Sequence, residues 1–328
     1  MSVSDISDET VRSQVLANLE EFKHDLLDDM ASNTKRAYLS DFEHYLSFCL
    51  KHGLVSMSDD WRVTKDTIKT YFVSLMASEL KNASIKRKLS SIKYFIGIAE
   101  LPDPFKHSKL LRDFITNKLK KKPAAQTQAN PITAEVLVAL NETFNPESLL
   151  DIRNKLLVNL AFDSLFRASN LAEIEVAHID REHGSVFASY SKTDQEGQGS
   201  YGYISPRTII LLDEWLNASG ITEGFIFRTL SPKQTVQQKM MGYQAIYKTF
   251  KSFGGAKYLD NKISYSCHST RVGATVSMTE QNRPLIKIIQ AGNWKSERMA
   301  IRYGQRTNVA KGGMVDIICL SADIFVIE

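Results

Sequence analysis

Between residues 31 and 122 the apolar positions recur with the period of an α-helix. Asn33 can cap a first helix that puts Tyr38, Phe42, Tyr45, Leu46 and Cys49 on one stripe, and Gly53 stops it. Thr64 can cap a second, with Ile68, Tyr71, Phe72, Leu75 and Met76 inward. Asn82 or Ser84 opens a third, with Ile85, Leu89, Ile92 and Ile96 on one side. Pro102 and Pro104 break the pattern, and Pro104 suits the first turn of a further helix carrying Leu110, Leu111, Phe114 and Leu119. Only Gly53 and Gly97 lie before residue 130, and the other fourteen glycines follow it, so the first part should be almost purely helical.

The run KKPAAQTQANP, residues 121–131, is polar, has no apolar period and is bounded on one side by Pro131. It reads as an interdomain linker, set at 123–131. The part beyond it is mixed. Leu149–Phe166 is a strongly apolar helix, and residues 179–205 read as strand, turn and strand. Pro206 starts a helix that Gly220 ends; Phe225–Phe227 is a short strand; helices follow at about 240–253, 269–281, 284–291 and 296–303. The expected fold is mainly α with a small β component: a helical amino-terminal domain and a mixed α/β carboxyl-terminal one.

Composition supports a globular reading. At 328 residues the chain suits two domains, with 43% hydrophobic and 24% charged residues. No run approaches the ~18 apolar residues of a membrane span, and the acidic, polar start MSVSDISDET suits neither a secretory signal nor a transit peptide. Three cysteines, Cys49, Cys267 and Cys319, form no disulfide framework, so a reducing compartment is expected.

Charge is informative once it is divided. Residues 1–30, an acidic amino-terminal arm, carry a net −6; against +4 for the whole chain, the remainder carries +10. Lys81, Lys86, Arg87, Lys88 and Lys93 fall in a stretch with no acid, mostly off the apolar stripe, and Lys118, Lys120, Lys121 and Lys122 form a second knot. Clustered cations with local acid depletion suit a polyanion, although a solvated helix face gives the same pattern.

Some apparent motifs carry no chemistry. Gly197, Gly199 and Gly202 spell G-x-G-x-x-G, but they lie between extended segments where a dinucleotide fingerprint needs a helix opening on its glycines. Cys49 and His52 resemble half a zinc site without a second pair at metal spacing. His178 and His183 flank a turn and should be solvated. No Asp/Glu/His cluster suggests a divalent metal.

The segment CHSTRVGATVSM differs. His268 and Arg271, three apart, share one face at the start of a helix, where a cation, an imidazole and the helix dipole suit a phosphate. H-x-x-R is common in isolation, but here IIQAGNW follows, ending at Trp294, and then Tyr303 in IRYGQR. Upstream, Arg167 ends the apolar helix in LFRASNLAEI, and Lys192 lies near the hairpin turn in SKTD. Arginine, hairpin lysine, H-x-x-R, tryptophan and tyrosine, in that order, resemble the active-site residues of the tyrosine recombinases. The words HSTRVGA and IQAGNW, with LPDP in the helical front half, resemble the Cre-type phage and plasmid members over roughly residues 30–320.

That resemblance implies a site-specific recombinase needing no metal, cofactor or ATP. Tyr303 would attack the DNA phosphate to form a 3′-phosphotyrosyl bond; Arg167 and Arg271 would hold the phosphate; His268 would donate to it or move the tyrosine proton; Lys192 would protonate the leaving 5′-oxygen; Trp294 would donate its indole N–H. Where the family usually has an acid, Asn170 stands, with Glu173 about one turn on as a candidate substitute. The implied partner is double-stranded DNA with an inverted-repeat site, bound by a dimer and paired in a tetramer, in the cytoplasm and away from membranes. Residues 31–122 would form a core-binding domain and 132–313 the catalytic domain, the two clamping DNA from opposite sides. Lys35, Arg36, Lys81, Lys86, Arg87, Lys88, Lys120, Lys121 and Lys122 are candidate DNA contacts. The apolar tail 314–328 would dock on a neighbouring protomer. A type IB topoisomerase and a catalytically silent DNA-binding regulator are the alternatives.

Overall fold

In the computed structural model, residues 8–26, 30, 32–122, 128–189 and 198–309 are described. Lys192, residues 123–127 of the linker and the tail 314–328 lie outside them. The chain divides between Gln126 and Thr127 into two compact units.

The first unit is built from α1 (Glu9–Glu21), α2 (Ser32–His52), α3 (Trp61–Ala77), α4 (Asn82–Ile98), α5 (Pro104–His107) and α6 (Lys109–Lys120). The apolar stripes read from the sequence meet in one core: Phe42, Tyr45, Ile68, Tyr71, Phe72, Ile85 and Ile92 are all buried. The acidic start is less separate than its charge suggests. Asp8 caps α1, and Val15, Leu19 and Phe22 enter the same core, an i, i+4, i+7 spacing that the density of acids obscured.

The expected caps shift for a common reason: a polar side chain goes where an orphan backbone group needs it. Asp60, not Thr64, caps α3 by accepting from Arg62 N at 2.9 Å. Thr64 is buried one turn in, its hydroxyl accepting from Ser58 N. Asn82 opens α4 without capping it; its amide donates to Leu119 O and Lys122 O, closing the end of α6 instead. Pro104 starts only the four-residue α5, and Ser108 caps a separate α6.

A charged knot joins α2 to α4. Asp41, 3% exposed, accepts from Arg87 Nε at 2.7 Å and Nη2 at 3.2 Å, and pairs with Lys88 Nζ at 3.1 Å. Burial raises the Asp41 pKa, but the hydrogen bonds and charges of Arg87 and Lys88 outweigh it and hold the carboxyl below its ordinary range.

The second unit contains α7 (Ala134–Glu142), α8 (Leu149–Ser164), α9 (Ala168–Ala172), β1 (Ile179–Asp180), β2 (Ser185–Ala188), β3 (Ser200–Tyr203), α10 (Pro206–Ser219), β4 (Arg228–Leu230), β5 (Val236–Met240), α11 (Tyr243–Ser252), α12 (Ser269–Glu280), α13 (Leu285–Ala291) and α14 (Arg298–Val309). β1, β2 and β3 form an antiparallel sheet in that order, with Phe187 opposite Tyr201; β4 and β5 form a second antiparallel pair. Helix α8 is buried on every side, with Leu156, Leu157, Val158, Leu160 and Ala161 at 0% exposure, and it packs against α10 and α12.

The antiparallel pairing of β2 with β3 and the helix from Pro206 to its cap at Gly220 stand where the sequence put them, while residues 190–197 lie outside the described ones. Other expectations change. Phe225–Phe227 is no strand: Phe225 makes an isolated bridge to Glu175, Ile226 and Phe227 are buried, and the strand follows at β4. The helix expected from about 240 begins at Tyr243 because Val236–Met240 pairs with β4. Helix α7, capped by Thr133, was not anticipated within the segment after the linker. No helix of the described residues is long and apolar enough to cross a membrane.

Removing the acid from the α2–α4 knot leaves Lys88, 8% exposed, without its counter-ion. Asp41→Ala should therefore lower unfolding free energy by about 3–5 kcal/mol, as loss of one partner of a buried pair does. Denaturant titration measures it, and a loss below ~1 kcal/mol would show that the lysine escapes to water. Because the folded pKa of Asp41 is depressed, its contribution is present above the ordinary carboxylate range and is lost as pH falls through the lowered value.

Candidate active site

Helix α8 stops because Leu165 adopts a left-handed backbone, φ 52°, rather than continuing to Phe166 as its apolarity suggested. The reversal places half-buried Arg167 at the N-cap of α9. On α12, His268 occupies the N-cap and Arg271 the first turn. Helix α12 comes very close to the chain leaving the linker: a Cβ on Gly273 would lie 1.7 Å from Ile132 O. Ile132 N donates to Ser269 O at 2.9 Å, and Ala134 N to Ser277 Oγ at 2.9 Å. Gly273 thus serves packing, and not approach of a ligand.

Arg271 is 4% exposed. Its Nη2 donates to Gly292 O at 3.2 Å, and its guanidinium lies 5.4 Å from the Trp294 ring centroid. Burial pulls its pKa down to about 10, the Arg167 charge adds to the fall, and the Tyr303 side chain opposes it. It stays protonated at neutral pH, and among the described residues no carboxylate is one of the groups acting on it. Trp294 meets Tyr303 edge-on, with centroids 5.7 Å apart at 72°. Tyr303 is half-buried within α14, and Gln128 Nε2 donates to its carbonyl at 3.2 Å. The helix carrying it runs on to Val309, beyond the expected 296–303.

His268 is solvent-exposed at the mouth of this group. Partial desolvation lowers its pKa below the ordinary imidazole value, and Arg271 and then Arg167 lower it further. It is neutral at pH 7, with one ring nitrogen able to donate and the other to accept.

The turn Gly292–Trp294 supports the group. A Cβ on Gly292 would meet the Trp294 ring at 2.6 Å, so glycine is required for the indole to lie across the turn. Asn293 is left-handed, φ 49°, and its Nδ2 donates to Tyr201 O of β3 at 2.9 Å. The sequence reading did not single out Gly292 or Asn293; the signal was their place inside IIQAGNW.

The structure therefore brings together Arg167, His268, Arg271, Trp294 and Tyr303. Asn170 is buried at 4% exposure, and Glu173 is exposed at the C-cap of α9. Among the described residues, no group of three His, Cys, Asp or Glu side chains could hold a metal ion.

The cationic candidates of the first unit divide. Arg36, Lys81, Lys86, Lys120 and Lys121 are exposed, and Lys35 is half-buried. Arg87 is half-exposed while bonded to Asp41. Lys88 is a correction: it lies inside the apolar seam, where its charge serves Asp41. Lys122 is another, since its Nζ donates to Ser78 O at 2.7 Å and to Met76 O at 3.5 Å, closing the end of α3.

The phage integrase family pattern matches residues 130–308, which hold the whole described site, and the phage integrase N-terminal SAM-like domain matches residues 19–100. The chain belongs to the phage integrase family. This integrase-family chain is 27% identical over 292 residues to an integrase/recombinase xerD homolog of Selenomonas ruminantium, covering 86% of this chain and 84% of that one. It is 25% identical over 189 residues to the recombinase cre of Escherichia phage P1, covering 53% of this chain and 55% of that one. Its fold is that of the XerH site-specific recombinase, solved on palindromic difH DNA, with a TM-score of 0.60 at 13% identity over 96% of this chain and 91% of that one.

Since Arg167 helps depress the His268 pKa, Arg167→Gln should raise it. An NMR titration of the imidazole reads the shift, and an unmoved midpoint would leave desolvation and Arg271 as its only causes.

Proposed function

We propose that this integrase-family chain is a site-specific DNA recombinase that cuts and rejoins duplex DNA through Tyr303. The observation that carries the reading is Arg271: a buried guanidinium, with a second arginine and a tyrosine acting on it and no carboxylate among the described groups that do. Cations so placed are poised for an anion brought by a ligand, and a phosphodiester fits bidentate guanidinium contacts.

The steps follow from the groups present. The Tyr303 oxygen attacks phosphorus, forming the 3′-phosphotyrosyl bond as the bond to the 5′-oxygen breaks. The tyrosine proton passes to His268, whose depressed pKa leaves it neutral and able to accept. Arg167 and Arg271 hold the negative charge that gathers on the nonbridging oxygens, and the Trp294 indole N–H donates to one of them. Lys192 gives a proton to the leaving 5′-oxygen, as the resemblance to the tyrosine recombinases implies. A 5′-hydroxyl of a partner strand reverses these steps, so one phosphodiester is exchanged for another without ATP.

The exposed Arg36, Lys81, Lys86, Lys120 and Lys121, with Lys35 and Arg87, supply phosphate contacts from the first unit. The inverted-repeat target, dimer and tetramer belong to the same proposal. Within it, the apolar run from Met314 to Val326 docks on a neighbouring protomer and closes the assembly.

Tyr303→Phe should bind DNA as the intact chain does and form no detergent-resistant adduct, since only the hydroxyl is removed. Chelator should leave adduct formation by the intact chain unchanged. An adduct from the phenylalanine variant, or activity lost in EDTA and restored by magnesium, would overturn the mechanism. Truncation after Gly312 should preserve half-site binding and abolish cooperative filling of a full site; unchanged cooperativity would return the tail to its own domain.

A further inference from the structure

Asn293 spends an amide on a bond that neither burial nor local backbone demands. The residue is exposed, and its left-handed φ of 49° is satisfied as well by glycine. Yet its Nδ2 reaches Tyr201 O at 2.9 Å, ninety-two residues away in sequence. What it ties together gives the bond a purpose.

On one side stands the turn that supports Arg271, Trp294 and Tyr303. Gly292 O accepts from Arg271, and the Trp294 ring lies across Gly292. The turn hangs on α13, a seven-residue helix with Ile288 as its one buried residue; Leu285 is 39% exposed and Ile286 58%. So short and open a helix fixes the turn poorly by packing alone.

On the other side stands β3, which is firmly held. Tyr201 pairs with Phe187, and Gly202 packs against the end of α8: a Cβ there would meet Ser164 Cβ at 2.7 Å and the Phe166 ring at 3.0 Å. Phe166 directly precedes Arg167. The bond from Asn293 to Tyr201 therefore links the backbone supporting Arg271 to the backbone supporting Arg167.

We propose that Asn293 is a positioning residue of the DNA-cleaving site: by anchoring the Gly292–Trp294 turn to β3, it sets the spacing of Arg167 and Arg271 and the seat of Trp294 against Tyr303. The inference rests on the proposed DNA-cleaving reading. Asn293 acts through these neighbours and does not itself touch the phosphate.

The test uses the full chain and a DNA site that it selects from a random pool, nicked so that cleavage traps the adduct. Two variants separate donor from backbone. Asn293→Gly keeps the left-handed turn and loses the side chain; Asn293→Asp keeps the shape and, as a carboxylate, has no hydrogen to donate. Each should lower the single-turnover cleavage rate about tenfold, a factor of ~1.4 kcal/mol, with DNA affinity within about twofold and the melting temperature unchanged. The same substrate with a 5′-bridging sulfur has a leaving group that needs no proton. The defect should persist on it undiminished, because the lost function concerns phosphate placement.

Cleavage by Asn293→Gly within about twofold of the intact chain would overturn the positioning role. So would a defect that vanishes on the sulfur substrate, which would assign Asn293 to leaving-group protonation, or one that tracks a fall in melting temperature, which would make it structural. If the intact chain binds the selected site and forms no adduct, the DNA-cleaving reading fails and takes the proposal with it; failure confined to the variants' predicted defect leaves that reading standing.

Discussion

A guanidinium at 4% exposure, with a second arginine depressing its pKa, is an expensive thing to fold around. Arg271 is stabilised by one carbonyl and one indole face, which is less than a carboxylate would supply. The second unit can be understood as the structure needed to hold that charge in place while leaving its anion to come from outside. Helix α12 is clamped between α8 and the chain after the linker, with Gly273 removing the one Cβ that would keep Ile132 at a distance. Helix α14 packs on α12 and brings Tyr303 to the same charge. Strain that natural packing would otherwise avoid is tolerated at Leu165, whose left-handed turn frees Arg167 from α8.

The same electrostatics set the histidine. Partial desolvation, reinforced by the Arg271 and Arg167 charges, keeps the His268 imidazole neutral, which fits it to accept a proton that an imidazolium could not. A bound phosphate would offset those cations and favour the charged form, so substrate binding and the proton affinity of His268 reinforce each other. The site thus couples anion binding to proton transfer.

Much of this was legible in the residues. The stripes through Tyr45, Ile68 and Ile92 and the stops at Gly53 and Gly220 follow from period and sequence, and the set Arg167, His268, Arg271, Trp294 and Tyr303 from its resemblance to the tyrosine recombinases. What was not legible depended on long-range partners. Asn82 looks like a cap for its own helix and closes α6, because which orphan carbonyl lies within reach is a tertiary fact. Lys88 and Lys122 look like surface cations until Asp41 and Ser78 are beside them. Short strands such as Val236–Met240 exist only by pairing, here with Arg228–Leu230, and a single chain pattern carries little trace of that. Asn293 was invisible for the same reason: its meaning lies in Tyr201.

The central claim is that Arg271 is buried to hold negative charge on the DNA phosphate, and replacing that charge tests it most directly. A methylphosphonate at the scissile position removes the anionic nonbridging oxygen while keeping the reacting centre. The account predicts that Arg271→Ala, folded and bound to DNA, forms no adduct with the ordinary phosphodiester and regains adduct formation at Tyr303 with the neutral analogue. If the variant is equally inactive on both substrates while its melting temperature matches that of the intact chain, Arg271 does not act by bearing that charge, and the account is contradicted.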